Sequence, residues 1–255
     1  MSKLISYYFK RDKWILLAMV ACAILGGLLL GSYSADSYVG AFSVFVAVIT
    51  FFFAAVVVPP LWLCIRDYKR MYGSYGSFFA ALPLTGKEVM GGRAIWFIIV
   101  EILGMLSSLM FIAPFLITNI DQKAEVRDFL ADTAEQVGLN FAVGFAVVVI
   151  AGLLFSAAVW LFVTSVGSEK PFRRFGIGGP IMLYVAMQVA VNVVTNGAVR
   201  LMNSQQQFMA EQAMAQAAAE LFLRTCLVIG GLMLIVAVVL FLRSVYSHDK
   251  KLSVS

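Results

Sequence analysis

The chain has 255 residues, of which 62% are hydrophobic and 13% charged, with a formal net charge of +5 and a mean hydropathy of +0.92. Soluble domains carry roughly 25% charged residues and about half apolar ones, so this composition excludes a water-soluble globule and places the protein in a bilayer. No polar segment is long enough to fold as a separate soluble domain, and residues 1–255 read as one all-α membrane domain.

The chain opens on a short basic amphipathic helix over 1–13. Leu4, Ile5, Tyr8 and Phe9 share one side and Lys3, Lys10 and Lys13 the other, the pattern of a helix lying in the headgroup layer of an anionic leaflet. The apolar run from Trp14 to Leu30 exceeds the roughly 7–15 residues of a signal-peptide core and has the length of a span, so it is expected to stay in the mature protein.

Six apolar segments succeed one another at 14–31, 39–65, 94–118, 138–166, 177–199 and 221–242. Each is near or above the ~20 residues that a helix needs to cross the hydrocarbon. The fourth is the longest and must tilt or protrude, since at 1.5 Å per residue it outruns a core of ~30 Å.

Between the second and third segments lies RDYKRMYGSYGSFFAALPLTGKEVMGGR, Arg66 to Arg93. It carries the bases Arg66, Lys69, Arg70, Lys87 and Arg93 against the acids Asp67 and Glu88. At 100° per residue, Met71, Tyr75, Phe78, Phe79 and Leu82 fall on one face, and Gly73, Ser74, Gly76, Ser77, Ala80 and Ala81 on the other. The bulky face suits membrane or protein, and the small face lets another surface approach closely. Pro83 ends this helix, because it lacks a backbone N–H and drives Leu82 out of helical geometry. Thr85-Gly-Lys-Glu88 then reads as a capping box that starts a new helix running into the third apolar segment.

Lys and Arg set the orientation. With six spans, fifteen of the nineteen fall on one side: in the N-terminal helix, in 66–93, in the loop 167–176 (Lys170, Arg173, Arg174) and at the C-terminus (Arg243, Lys250, Lys251). The other side holds Lys123, Arg127, Arg200 and Arg224 together with most of the acids. Both termini and the 66–93 stretch are therefore expected in the cytoplasm of a cell-membrane protein. On the outer side, 119–137 reads as an acidic, helical loop and 201–220 as a helix lying on or leaning into the outer surface. Met202, Met209 and Met214 in the latter have thioethers of the kind that suit Cu(I), but their irregular spacing fits apolar packing better than a metal site. Cys22, Cys64 and Cys226 lack C-x-x-C spacing and read as small core hydrophobes.

Catalytic motifs are absent: the chain contains no H-E-x-x-H, no P-loop G-x-x-x-x-G-K-[ST] and no G-x-S-x-G. Its one histidine, His248, reads as a solvated residue of the cytoplasmic tail, so no enzyme, bound cofactor or metal is expected. Within the spans, Glu101 stands about two turns into the third. It serves either as a proton or substrate contact or as a hydrogen-bonded acid joining helices, with Ser107 or Ser108 as partners. Gln188, Asn192 and Asn196 recur at four-residue intervals in the fifth and either line a path or bond neighbouring helices. Gly178-Gly179-Pro180 at its start points to a kink or close packing.

This layout resembles the ABC-2 family of permeases. An N-terminal amphipathic helix, six spans and the segment Leu82-Pro83-Leu84-Thr85-Gly86-Lys87-Glu88-Val89 closed by Arg93 are similar to that family's pattern, with Arg93 where lysine is frequent. The resemblance implies that 1–13 is an elbow helix, that 66–82 is a cytoplasmic coupling helix, and that 201–220 is the outer helical hairpin region before the last span. Asp67, Tyr68, Tyr72, Gly73, Ser74, Gly76, Ser77, Ala80 and Ala81 would dock on a separate ATPase subunit that binds ATP and Mg. It also implies a second permease copy or homologue, as a homo- or heterodimer, and no nucleic-acid partner. The function implied is ATP-driven export or flipping of an amphipathic or hydrophobic substrate such as a peptide or lipid. The residues alone leave open an ion-coupled secondary transporter and a non-transporting scaffold or immunity protein.

Overall fold

A computed structural model of the chain describes residues 2–32, 38–71, 85–122, 139–206 and 214–252. Among them the chain is helical, with no strand. The elements are α1 (Ser2–Gly31), α2 (Tyr38–Met71), α3 (Gly86–Gln122), α4 (Leu139–Val166), the single turn α5 (Lys170–Arg173), α6 (Gly178–Gln206), α7 (Met214–Tyr246) and a π-helical turn at Ser247–Leu252. Five contain stretches long and apolar enough to cross a bilayer: Ile5–Gly31, Phe42–Arg70, Gly86–Ile117, Phe141–Val166 and Phe222–Lys250. The protein is a multi-pass, all-helical membrane protein.

Several expected boundaries move. No break separates residues 1–13 from the first span, and α1 is one continuous helix, because nothing between Lys10 and Trp14 interrupts it: no glycine, no proline. The anticipated fifth span lies on α6, whose apolar part among the described residues is Gly178–Val193. Of the 201–220 segment, the first residues extend α6 to Gln206 and the last begin α7 at Met214, while 207–213 lie outside the described residues. Likewise 119–122 end α3, and 123–138 lie outside the described residues.

The chain divides into two compact units. The first comprises Met1–Cys64 and Gly91–Gln136, and the second Ile65–Met90 and Val137–Ser255.

In the first unit, α1 and α3 run parallel. Tyr8 stacks on Trp96 with ring centroids 6.1 Å apart, Gly27 meets Met110 and Phe111, and Gly31 meets Pro114, so the contacts climb both helices together. Helix α2 runs antiparallel to α3, with Phe51 stacked on Phe111 at 4.1 Å and Ala55 against Gly104. Proline and glycine share the work here. Pro59 and Pro114 lie inside helices and lack the N–H that would bond the carbonyl four residues back, which leaves the carbonyls of Ala55 and Met110 without their helical donors. Each of these carbonyls faces a glycine. A methyl group on Gly104 would stand 2.6 Å from the Ala55 oxygen, and one on Gly27 would stand 2.9 Å from the Met110 oxygen. Gly27-x-x-x-Gly31 is thus the small-residue spacing that lets membrane helices approach backbone to backbone.

In the second unit, α4 is the central helix. Residues 157–169 are buried with the single exception of Phe162. Helix α7 runs parallel to α4, with Phe141 stacked on Phe222 at 4.3 Å, Gly144 against Cys226 and Gly230 against Val147. Helix α6 runs antiparallel to α4: Trp160 stacks on Tyr184 at 4.5 Å, and Gly167 packs on Pro180. Gly179 and Pro180 are both buried at this contact, so the Gly-Gly-Pro sequence serves close packing at the start of α6.

Candidate functional site

The turn that opens α3 forms as the sequence indicates. Thr85 donates its backbone N–H and its hydroxyl to Glu88 Oε2, each at 3.0 Å, and the Glu88 backbone N–H returns a longer bond of 3.4 Å to Thr85 Oγ1. This reciprocal box satisfies N–H groups that would otherwise be orphaned at a helix start. Gly86, one residue into the turn, is buried beneath the carboxylate of Asp249, and a side chain there would collide with that carboxylate.

Beside this turn lies a buried polar layer contributed by the ends of α4 and α7. Glu169, 5% exposed, accepts a hydrogen bond from Arg243 Nη2 at 2.7 Å and from Ser247 Oγ at 2.9 Å. The Ser247 hydroxyl also lies 3.3 Å from the Ser165 carbonyl, and Ser165 Oγ lies 3.8 Å from Met90 Sδ in the first turns of α3. Arg243 further stacks over the Tyr246 ring at 5.7 Å. The remaining hydroxyls return to their own helices, Thr164 to Trp160 and Leu161, and Ser244 to Leu240. Burial of a carboxylate is costly unless it is paired, and here a guanidinium and a hydroxyl both meet the same oxygen.

Three sequence-level readings change here. Asp67 and Tyr68, expected on a docking surface, are buried at 3% and 8% exposure in the last turns of α2 and belong to the protein's own packing. Tyr72, Gly73, Ser74, Gly76, Ser77, Ala80 and Ala81, the remainder of that surface, lie outside the described residues. His248 is half-buried in the π-helical turn, with its Nδ1 enclosed, and is not a solvated tail residue. Of the three cysteines, Cys64 and Cys226 are buried, whereas Cys22 is exposed on α1.

Glu101 is buried at 2% exposure on α3. The serines expected to meet it bond elsewhere: Ser107 donates to the Leu103 carbonyl at 2.8 Å and Ser108 to the Gly104 carbonyl at 2.9 Å. Gln188, Asn192 and Asn196 are all exposed on α6, and Asn192 Nδ2 donates to the Gln188 carbonyl of the same helix at 2.9 Å.

Glu169, Arg243 and Ser247 were not singled out from sequence. One signal for them existed: Thr164, Ser165, Ser168 and Glu169 fall within 140° of one another on a helical wheel, giving a highly apolar helix a polar end.

Family models, curated proteins and solved structures were compared with the chain, and none matches it.

Proposed function

We propose that the chain is the membrane-spanning subunit of an ABC-2-type exporter, driven by a separate cytoplasmic ATPase. The observation that carries this reading is the turn at Thr85–Glu88. There a helix starts through a formed capping box, after a stretch that is basic and carries Pro83 in its sequence, and the box belongs to the same compact unit as α4, α6 and α7. A force delivered to the start of α3 would reach that helical unit through the Gly86–Asp249 and Met90–Ser165 contacts. With no P-loop in its sequence, such a subunit takes its energy from a partner that binds ATP and Mg.

The reading includes six crossings with both termini in the cytoplasm. Its support is the direction of the helices in the second unit. Parallel α4 and α7 need a return passage between them, and α6 runs antiparallel to α4 over 29 residues, about 43 Å of helix. The exposed amides Gln188, Asn192 and Asn196 suit a substrate path or a second copy of the permease, since amides facing lipid find no partner there. Apolar spans favour an amphipathic or hydrophobic cargo such as a peptide or lipid.

The test is affinity purification of the tagged protein from its own cells in mild detergent. An ATPase should co-purify with the wild type and be lost from Gly76→Asp, which places a charge on the small face of the coupling stretch. Purification alone in both forms overturns the reading. The buried Glu101 then becomes the group to neutralise in a test of ion-driven transport.

A further inference from the structure

We propose that two copies of the chain meet along α6, through a seam of Ile181, Val185, Gln188 and Asn192 in which the carboxamides of one copy bond those of the other. This rests on the permease reading above, in which α6 crosses the bilayer and two copies make one transporter, and it names the helix that joins them.

The four residues follow one another at the alternating four- and three-residue intervals of a coiled-coil seam, and all four are exposed. On a helical wheel they fall within about 60° of one another. Tyr184, which stacks on Trp160, and Pro180, which packs on Gly167, lie to one side of this arc, so a partner can take the seam without disturbing the contact with α4. Val185 and Asn192 occupy the same position in successive heptads. In parallel two-stranded coils that position favours a β-branched residue, and a single asparagine there fixes the register.

Depth makes the amides decisive. Gln188 and Asn192 lie about 15 and 21 Å along the helix from Gly178, within a hydrocarbon core of roughly 30 Å. Asn192 Nδ2 donates to the Gln188 backbone carbonyl at 2.9 Å, and no other hydrogen bond meets either carboxamide among the described residues. Lipid tails offer neither donor nor acceptor, and the bilayer core holds no water to replace them. A carboxamide donates and accepts at once, so it is its own complement. Copies of one chain insert in one orientation, and a two-fold axis along the membrane normal sets Asn192 against Asn192 at a single depth. A second copy therefore brings the missing partners to the level where they are needed, whereas the hydrocarbon part of a cargo brings none. Asn196, at the edge of the seam, is exposed and extends the amide row by one turn.

The experiment is disulfide trapping of the full chain in native membranes. The parent is Cys22→Ala, which removes the exposed thiol and keeps the buried Cys64 and Cys226. One variant adds Val185→Cys, on the seam, and another Val193→Cys, exposed on α6 but outside it. Mild oxidation should link Val185→Cys into a dimer of the chain and leave Val193→Cys monomeric. Equal yields at the two positions, or no dimer from Val185→Cys, overturn the seam. Adding Gln188→Leu and Asn192→Leu to Val185→Cys should lower the dimer yield roughly tenfold, about what one hydrogen bond between membrane helices is worth. Exchanging the amides instead, as Gln188→Asn with Asn192→Gln, should preserve it. An unchanged yield from the Leu pair would sink the role given to the amides. Co-purification from the same membranes separates the seam from the reading it rests on. An ATPase recovered with a chain that forms no dimer at Val185→Cys overturns the seam and leaves the permease; a dimer without an ATPase keeps the α6 pair and overturns the permease; absence of both overturns both.

Discussion

The two units of this protein close by different means. In the first, helix backbones meet directly: Gly104 faces the Ala55 carbonyl and Gly27 faces the Met110 carbonyl, at positions where Pro59 and Pro114 have removed the usual donors. In the second, aromatic stacks and glycine contacts run along α4, but its end is fastened by charge, Glu169 with Arg243 and Ser247. Backbone contacts in a membrane are indifferent to salt and intolerant of any added atom. A buried ion pair adds little net stability, because desolvation offsets its attraction, yet removing one partner is costly. That asymmetry suits register: it fixes which turn of α7 lies beside the end of α4.

The largest effect should come from adding atoms to the first unit. Gly104→Val brings a branched side chain against a backbone oxygen that cannot retreat, and a loss of about 3 kcal/mol is expected at the upper end of overpacking costs. Hydrogen exchange read by mass spectrometry should then accelerate in peptides of α2 and α3 and leave α4 and α7 unchanged. Equal acceleration everywhere would show that the two units do not open separately.

Removing the charge from the second unit should cost less. Arg243→Met takes the guanidinium away from Glu169. Loss of one partner from a fully buried pair costs roughly 3–5 kcal/mol, and with the Arg243 side chain 33% exposed the expectation is about 2 kcal/mol. Exchange should rise at 165–169 and 243–249 and be restored in the Glu169→Gln, Arg243→Met double variant. Failure of the double variant to recover would mean that the pair is not what fastens this end.

The smallest effect belongs to the turn at α3. Thr85→Ala removes a cap at an exposed helix start, for which about 1 kcal/mol is typical. Thermal unfolding in detergent should shift by only a few degrees, with faster exchange confined to 85–90. A shift as large as that of Gly104→Val would mean that this turn holds much more of the structure than its own first residues.

Most of the helical content can be read in the chain because crossing a bilayer demands long apolar runs, and the limits of 138–166 agree with α4 to within a residue. The Thr85–Glu88 box is equally legible, being a local pattern with a local cause. Contacts between helices are not. Nothing about Gly104 distinguishes it from other glycines until Pro59 is seen to have freed the carbonyl it faces. Glu169 and Arg243 are 74 residues apart, and no periodicity joins them. The elbow failed as a separate helix for a related reason: a change from polar to apolar marks where the membrane begins, not where a helix ends.

The parallel pairing of α4 with α7 also sets an order of events during synthesis. The Ser165 carbonyl and the Ser247 hydroxyl that meets it are 82 residues apart. At 5–20 residues per second, the end of α4 is made roughly 4–16 s before its partner. Over that interval Glu169 lacks the Arg243 guanidinium, and the groove that will receive α7 stands open to lipid or to the insertion machinery. A nascent chain arrested between these residues would hold the Glu169 carboxylate without the guanidinium that meets it in the finished molecule.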